Sequence, residues 1–215
     1  IIVGSHILQI NDIKEERFNP MGVSDAELAE LHTKKFAVMD DAVGEKMQER
    51  ILQAKSELNS VGGVIEAIAL HLPAGIGAPY FDSVESMLSH ALFSVPAVKG
   101  VEFGDGFGFA RLTGAEANDA LHYVDGKVKA LTNHNGGITG GITNGMPFVV
   151  RVAIKPTPSI AREQQTVSLK EQADTTLAIV GRHDPCIVQR AAPVIEAVVA
   201  WTLWDLLLEA KKWEK

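Results

Sequence analysis

The segment GGITGGITNGMPFVVRVAIKPTPSI, residues 136–160, sets five glycines around an alternating run that ends in Lys155-Pro156-Thr157-Pro158-Ser159. Glycine loses more backbone freedom on folding than any other residue, so this density calls for a reason. A ligand that lies close to main chain is one. Lys155 adds a positive charge, Thr157 and Ser159 add hydroxyls, and Pro156 and Pro158 stiffen the backbone that carries them. The oxygens of a phosphate suit that set. A glycine-rich turn at a strand end is the plainer reading, because the spacing matches neither a phosphate loop nor a dinucleotide-binding fingerprint.

Two further groups could carry chemistry. GRHDPC, residues 181–186, packs a cation, an imidazole, a carboxylate and a thiol together. Asp184 precedes a proline and is biased to an extended or turn conformation, from which its carboxylate can be aimed into a pocket. Alternatively, Asp184 caps the following helix, with Pro185 in the first turn. His183, Asp184 and Cys186 match no usual zinc spacing, and Cys186 reads as a small buried hydrophobe. In LTNHNGG, residues 131–137, Asn133, His134 and Asn135 suit hydrogen bonds to neighbouring turns. SVPAVKG, residues 94–100, reads as a helix-to-strand loop.

The elements that must position these groups follow from periodicity. A strand covers residues 1–10, and Ser24 with Glu27 has capping-box spacing for a helix over 24–32. A second helix near 42–58 lines up Val43, Met47, Ile51, Ala54 and Leu58. The stretch 62–72 alternates, with Val64, Glu66, Ile68 and Leu70 on one face. A helix near 82–94, opened by Asp82 and Glu85, leads to a strand at 98–103. Asp125-Gly126 predicts a type I′ turn in a hairpin over 122–131. A strand at 147–154, a hairpin built from QTVSL and TLAIV, and a helix over 187–212 complete the chain. The fold class expected is α+β, with antiparallel sheets packed on a helical layer. The glycine-proline pieces at 73–79 and 136–147 are short enough for loops, so the chain reads as a single domain over 1–215.

The net charge of −7 and pI near 5.5 argue against a nucleic-acid partner, but not against an anionic small molecule. With Cys186 as the one cysteine there is no intrachain disulfide framework, and a reducing, cytoplasmic setting is expected. The first residues, Ile1 to Ile10, read as a strand already under way, not as a signal peptide, so the chain is expected to be part of something longer. The apolar stretch 191–208 carries Pro193, Glu196 and Asp205 and reads as a buried helix, not a membrane span.

Five stretches together resemble the chorismate synthase family: NSVGG (59–63), LPAGIGAPYFD (72–82), SVPAVKGVEFGDGF (94–107), TNHNGGITGGITNGMPFVVRVAIKPTPSI (132–160) and GRHDPCIVQRAAPVIEA (181–197). They occur in the family's order. The chain departs from the pattern at Ala78, where Glu is usual, at Asn135, where Ala is usual, and at Pro158, where Ser or Thr is common. The resemblance implies a β-α-β sandwich and a homotetramer. It also implies an anti-1,4-elimination of phosphate from 5-enolpyruvylshikimate 3-phosphate that needs reduced FMN without net redox change, with NADPH only in members that reduce their own flavin. Carried over by motif, Pro96, Ala97, Gly140, Lys155, Pro156, Thr157, Pro158, Ser159 and Arg182 fall at flavin contacts. Asp184 falls at the acid/base carboxylate, and no metal is implied. The family's Gly-Ser-His-Gly-like motif and substrate-binding arginines have no counterpart here, so the chain resembles a C-terminal part, expected to be inactive alone. A non-catalytic module that keeps a flavin cradle or an oligomer interface is the other reading.

Overall fold

The structure is a computed structural model that describes residues 1–181 and 183–211. In chain order the elements are β1 (Ile2–Ile10), β2 (Ile13–Lys14), α1 (Asp25–Thr33), α2 (Asp41–Ser56), β3 (Gly63–Leu70), α3 (Val84–Ser94) and β4 (Val98–Phe103). There follow β5 (Leu121–Val124), β6 (Lys127–Ala130), β7 (Ile138–Thr139), β8 (Ile142–Thr143), β9 (Phe148–Ile154), β10 (Gln164–Ser168), β11 (Ala173–Leu177) and α4 (Val188–Lys211). The fold is α+β and its sheets are antiparallel, as the sequence pattern implies.

The main sheet has five strands in the order β2-β1-β3-β9-β4. β3 and β9 are central and apolar on both sides, because both sides are covered. One face, with Ile65, Ala67, Val150 and Val152, packs on Leu88 and Leu92 of α3 and on Ile195, Val199 and Leu203 of α4. The other face, with Ile68, Leu70 and Val149, packs on Phe18 and on Leu28 and Leu31 of α1. Val64, Glu66, Ile68 and Leu70 do share a face, but alternation here does not separate core from solvent. Glu66 is fully buried.

Local chemistry explains the boundaries. α1 starts at the expected capping box, with Ser24 and Glu27 bonding each other's backbone N–H. α3 starts later than expected. Ser83 caps it by accepting from the Ser86 N–H, while Asp82 sits in a short 3-10 turn, Tyr80–Asp82. Asp125 and Gly126 both have positive φ, as a type I′ turn requires. The β7–β8 hairpin inside the glycine segment is a feature periodicity does not announce.

By length and composition α4 is long and apolar enough to cross a membrane. In the fold, Val188, Ala192, Ile195, Val199, Leu203 and Leu206 form its buried stripe. Its opposite side is open: Trp201 is 75% and Trp204 54% exposed, so the helix is buried on one side only.

Candidate functional site

Antiparallel pairing brings the start of β3, the end of β9 and the start of β4 to one edge of the sheet. Gly63 pairs with Ile154, and Ile154 with Val98. The loops that leave this edge are tied to one another. The Lys155 N–H donates to the Ala97 carbonyl at 2.9 Å. The Ser60 hydroxyl donates to the Thr157 carbonyl at 2.6 Å, and the Val61 N–H donates to the Pro185 carbonyl at 2.8 Å. Pro96, Ala97, Lys155 to Ser159 and Asp184 are therefore gathered, although Ala97 and Asp184 lie far apart in the chain. Ser60, which has no assigned role in the sequence reading, is one of the ties. Gly62 admits no side chain, because a Cβ there would meet the Ile154 carbonyl and come within 3.0 Å of the Pro156 ring.

Lys155, Pro156 and Pro158 are exposed, and Thr157 and Ser159 half-buried. The Thr157 hydroxyl oxygen is buried without a hydrogen-bond partner. An orphaned buried hydroxyl costs about 1–3 kcal/mol, so its place at the meeting of loops points to a missing acceptor or donor. Asp184 does not cap α4, which starts four residues later at Val188. Its carboxylate instead accepts from Arg190 at 2.8 Å. His183 Nε2 lies 2.9 Å from the Ile179 carbonyl. Burial pushes the Cys186 thiol above its ordinary range, against a reactive thiolate. A cleft of about 260 Å³ between Lys55, Leu58, Asn59, Ile160, Ala161, His183 and Pro185 borders the cluster. Arg182 lies outside the described residues. No group of three or more His, Cys, Asp or Glu among the described residues is placed to hold a metal.

Gly140 is not part of this gathering within the chain. It sits at the tip of the β7–β8 hairpin, exposed, with φ +63° and nothing within 4 Å of a would-be Cβ. The hairpin belongs to the Phe148 end of β9, whereas Lys155 follows its other end, roughly 20 Å of strand away. Other glycines of the segment serve this chain's own packing. At Gly141 a Cβ would come within 2.7 Å of the Ala78 carbonyl and 2.8 Å of Ser83. The LTNHNGG turn is held as expected by side-chain bonds. Asp119 accepts from Thr132, from the His134 N–H and from Asn135. Burial raises its carboxyl, but the bonds from Asn135 and His134 outweigh that and leave it below its ordinary value.

A second polar group, deep in the sheet, escapes the sequence reading. His6 Nδ1 bonds Glu15, and its Nε2 lies 3.1 Å from Glu66. Arg151 donates to Glu66 at 3.1 Å and to Glu102 at 2.6 Å. The register puts His6, Glu66, Arg151 and Glu102 opposite one another in one row. Charged residues at single positions of otherwise apolar strands were the available signal.

Comparisons with known proteins bear on the whole chain. A family model described as chorismate synthase matches residues 1–208. A curated chorismate synthase of Thermococcus gammatolerans is 50% identical over 175 residues, which cover 81% of this chain and 49% of that protein. That of Crocosphaera subtropica is 44% identical over 208 residues, covering 96% and 56%. A solved structure titled "Crystal Structure of Chorismate Synthase" superposes with a TM-score of 0.76 at 29% identity, over 96% of this chain and 56% of that one. The chain thus spans about half the length of the relatives it matches. With the loops that carry Ala97, Lys155 to Ser159 and Asp184 gathered at one end of the sheet and the family model matching residues 1–208, the chain belongs to the chorismate synthase family.

Proposed function

We propose that this chain supplies the flavin-holding part of a chorismate synthase, a lyase of aromatic amino acid biosynthesis. The reaction is the anti-1,4-elimination of phosphate from 5-enolpyruvylshikimate 3-phosphate to give chorismate. The observation that carries this reading is the set of three hydrogen bonds, Lys155 to Ala97, Ser60 to Thr157 and Val61 to Pro185, that gathers the loops at 60–61, 96–97, 155–159 and 184–185.

The residues fit reduced FMN. Lys155 offers an exposed ammonium group, and the Thr157 hydroxyl is buried with no partner inside the chain. When bound, FMN supplies electron density to the substrate and a ring nitrogen that takes a proton. Lys155 and the Thr157 and Ser159 hydroxyls would hold its phosphate, with Pro156 and Pro158 fixing their directions. Pro96 and Ala97 would present backbone to the ring system. By the family motif Arg182 would also contact the flavin, and Gly140 would make its contact from the hairpin, which in a homotetramer can belong to a neighbouring copy. Asp184 moves the proton on its carboxylate, and Arg190 fixes the direction in which that carboxylate points. The setting is cytoplasmic, and NADPH enters only if the intact enzyme reduces its own flavin.

The half-length match favours a second reading for the chain alone, a cradle without turnover. Titration of the 215-residue chain with FMN, read by flavin fluorescence, tests both. Saturable binding weakened about tenfold by Lys155→Ala, with Thr157→Val also weaker, supports the cradle. No binding removes it. Chorismate formation by the chain alone would overturn the second reading.

A further inference from the structure

β4 does not run regularly into the site. Val98 pairs with Ile154 and Gly100 with Ala153, so Lys99 between them is left out of the ladder in a β-bulge. The preceding Ala97 has φ +75°, which residues with a side chain seldom adopt. Both irregularities flank the hydrogen bond from Lys155 to Ala97. A bulge beside a site re-aims a side chain that pleating would otherwise fix. Lys99 is exposed and makes no hydrogen bond or ion pair among the described residues. Lys155 follows Ile154, the partner of Val98, and its ammonium group is equally unpaired among them. The buried, unpartnered Thr157 hydroxyl belongs to the same turn as Lys155.

We propose that Lys99 and Lys155 together clasp the dianion of a phosphate monoester, with Lys99 a binding residue in its own right. This rests on the flavin reading for its first ligand, FMN, but the same chemistry would take the substrate's phosphate. A plain structural role is the competing account: a lysine on an edge strand blocks pairing with other chains. That role predicts aggregation on removal and no change in ligand affinity.

The test titrates the 215-residue chain and its Lys99→Gln, Lys99→Arg and Lys155→Gln variants with FMN, riboflavin and phenyl phosphate. Circular dichroism checks that each variant is folded. If the clasp holds the flavin's phosphate, Lys99→Gln weakens FMN about tenfold and leaves riboflavin within about twofold, and Lys99→Arg keeps most of the affinity. If FMN is indifferent to Lys99→Gln but phenyl phosphate binding falls about tenfold, the clasp serves the substrate's phosphate. Wild-type chain that ignores FMN but binds phenyl phosphate through Lys99 sinks the flavin reading and sustains the clasp. FMN and phenyl phosphate affinities both unchanged in Lys99→Gln, or neither ligand bound by wild type, overturn it.

Discussion

Glu66 is a fully buried carboxylate held from three sides. It accepts from the Phe18 N–H at 2.6 Å, from Arg151 at 3.1 Å and from His6 at 3.1 Å. Burial pushes its carboxyl up, but the His6, Phe18 and Arg151 bonds outweigh this and leave it below its ordinary range. Removing one partner of a buried ion pair strands the other charge. Glu66→Ala should therefore lower stability by about 3–5 kcal/mol, read by urea unfolding. Replacing both members, as in Glu66→Leu with Arg151→Met, should recover only the part due to the stranded Arg151 charge, because the Phe18 N–H and His6 still lack their acceptor. Equal losses in the single and double variants would mean that the pair is not the main source. The residue types were legible in advance, since Glu66 and Arg151 interrupt apolar strands. Their pairing was not, because it depends on a register between segments 85 positions apart.

Elements were easier to read than their partners. The α1 boundary is written in Ser24 and Glu27, two positions whose side chains bond the local backbone. Ser24→Ala should lower stability by about 1 kcal/mol in the same assay, and no change would mean that the cap is redundant. The glycine segment was harder. Its glycines suggested room for a ligand, yet Gly141 is required by the chain's own Ala78 and Ser83. Gly140, next to it, meets nothing. The two positions thus make different predictions despite similar positive φ of 63° and 85°. Gly140→Ala should cost about 1–2 kcal/mol, the ordinary penalty of a left-handed alanine. Gly141→Ala adds a clash with backbone and should lower the urea midpoint clearly further. Equal midpoints would show that the β7–β8 hairpin shifts to make room.

At the scale of the molecule, three hydrogen bonds between distant loops build the candidate site, and no periodicity reports them. The order of the motifs was visible, but the meeting of the Ala97, Lys155 and Asp184 loops needed the sheet. The same sheet carries the buried row of charges from β1 to β4, and that row makes stability depend on pH at both ends. Burial alone would lower the His6 value, but the bonds and charges of Glu15 and Glu66 outweigh it, leaving His6 above its ordinary 6.5. Its contribution is therefore complete below pH 6.5 and is lost as the pH rises through the raised value. Glu66 acts in the opposite sense. Its contribution is complete above the ordinary 4.5 and is lost as the pH falls through the lowered value. These groups give a stability plateau between those limits, with a decline on each side. Urea unfolding across that range and about two pH units beyond each end measures the curve. His6→Gln should be less stable on the plateau and should lose the alkaline decline, because no proton then leaves the row. An alkaline limb that survives in His6→Gln would locate the titrating group elsewhere and leave the row neutral to pH on that side.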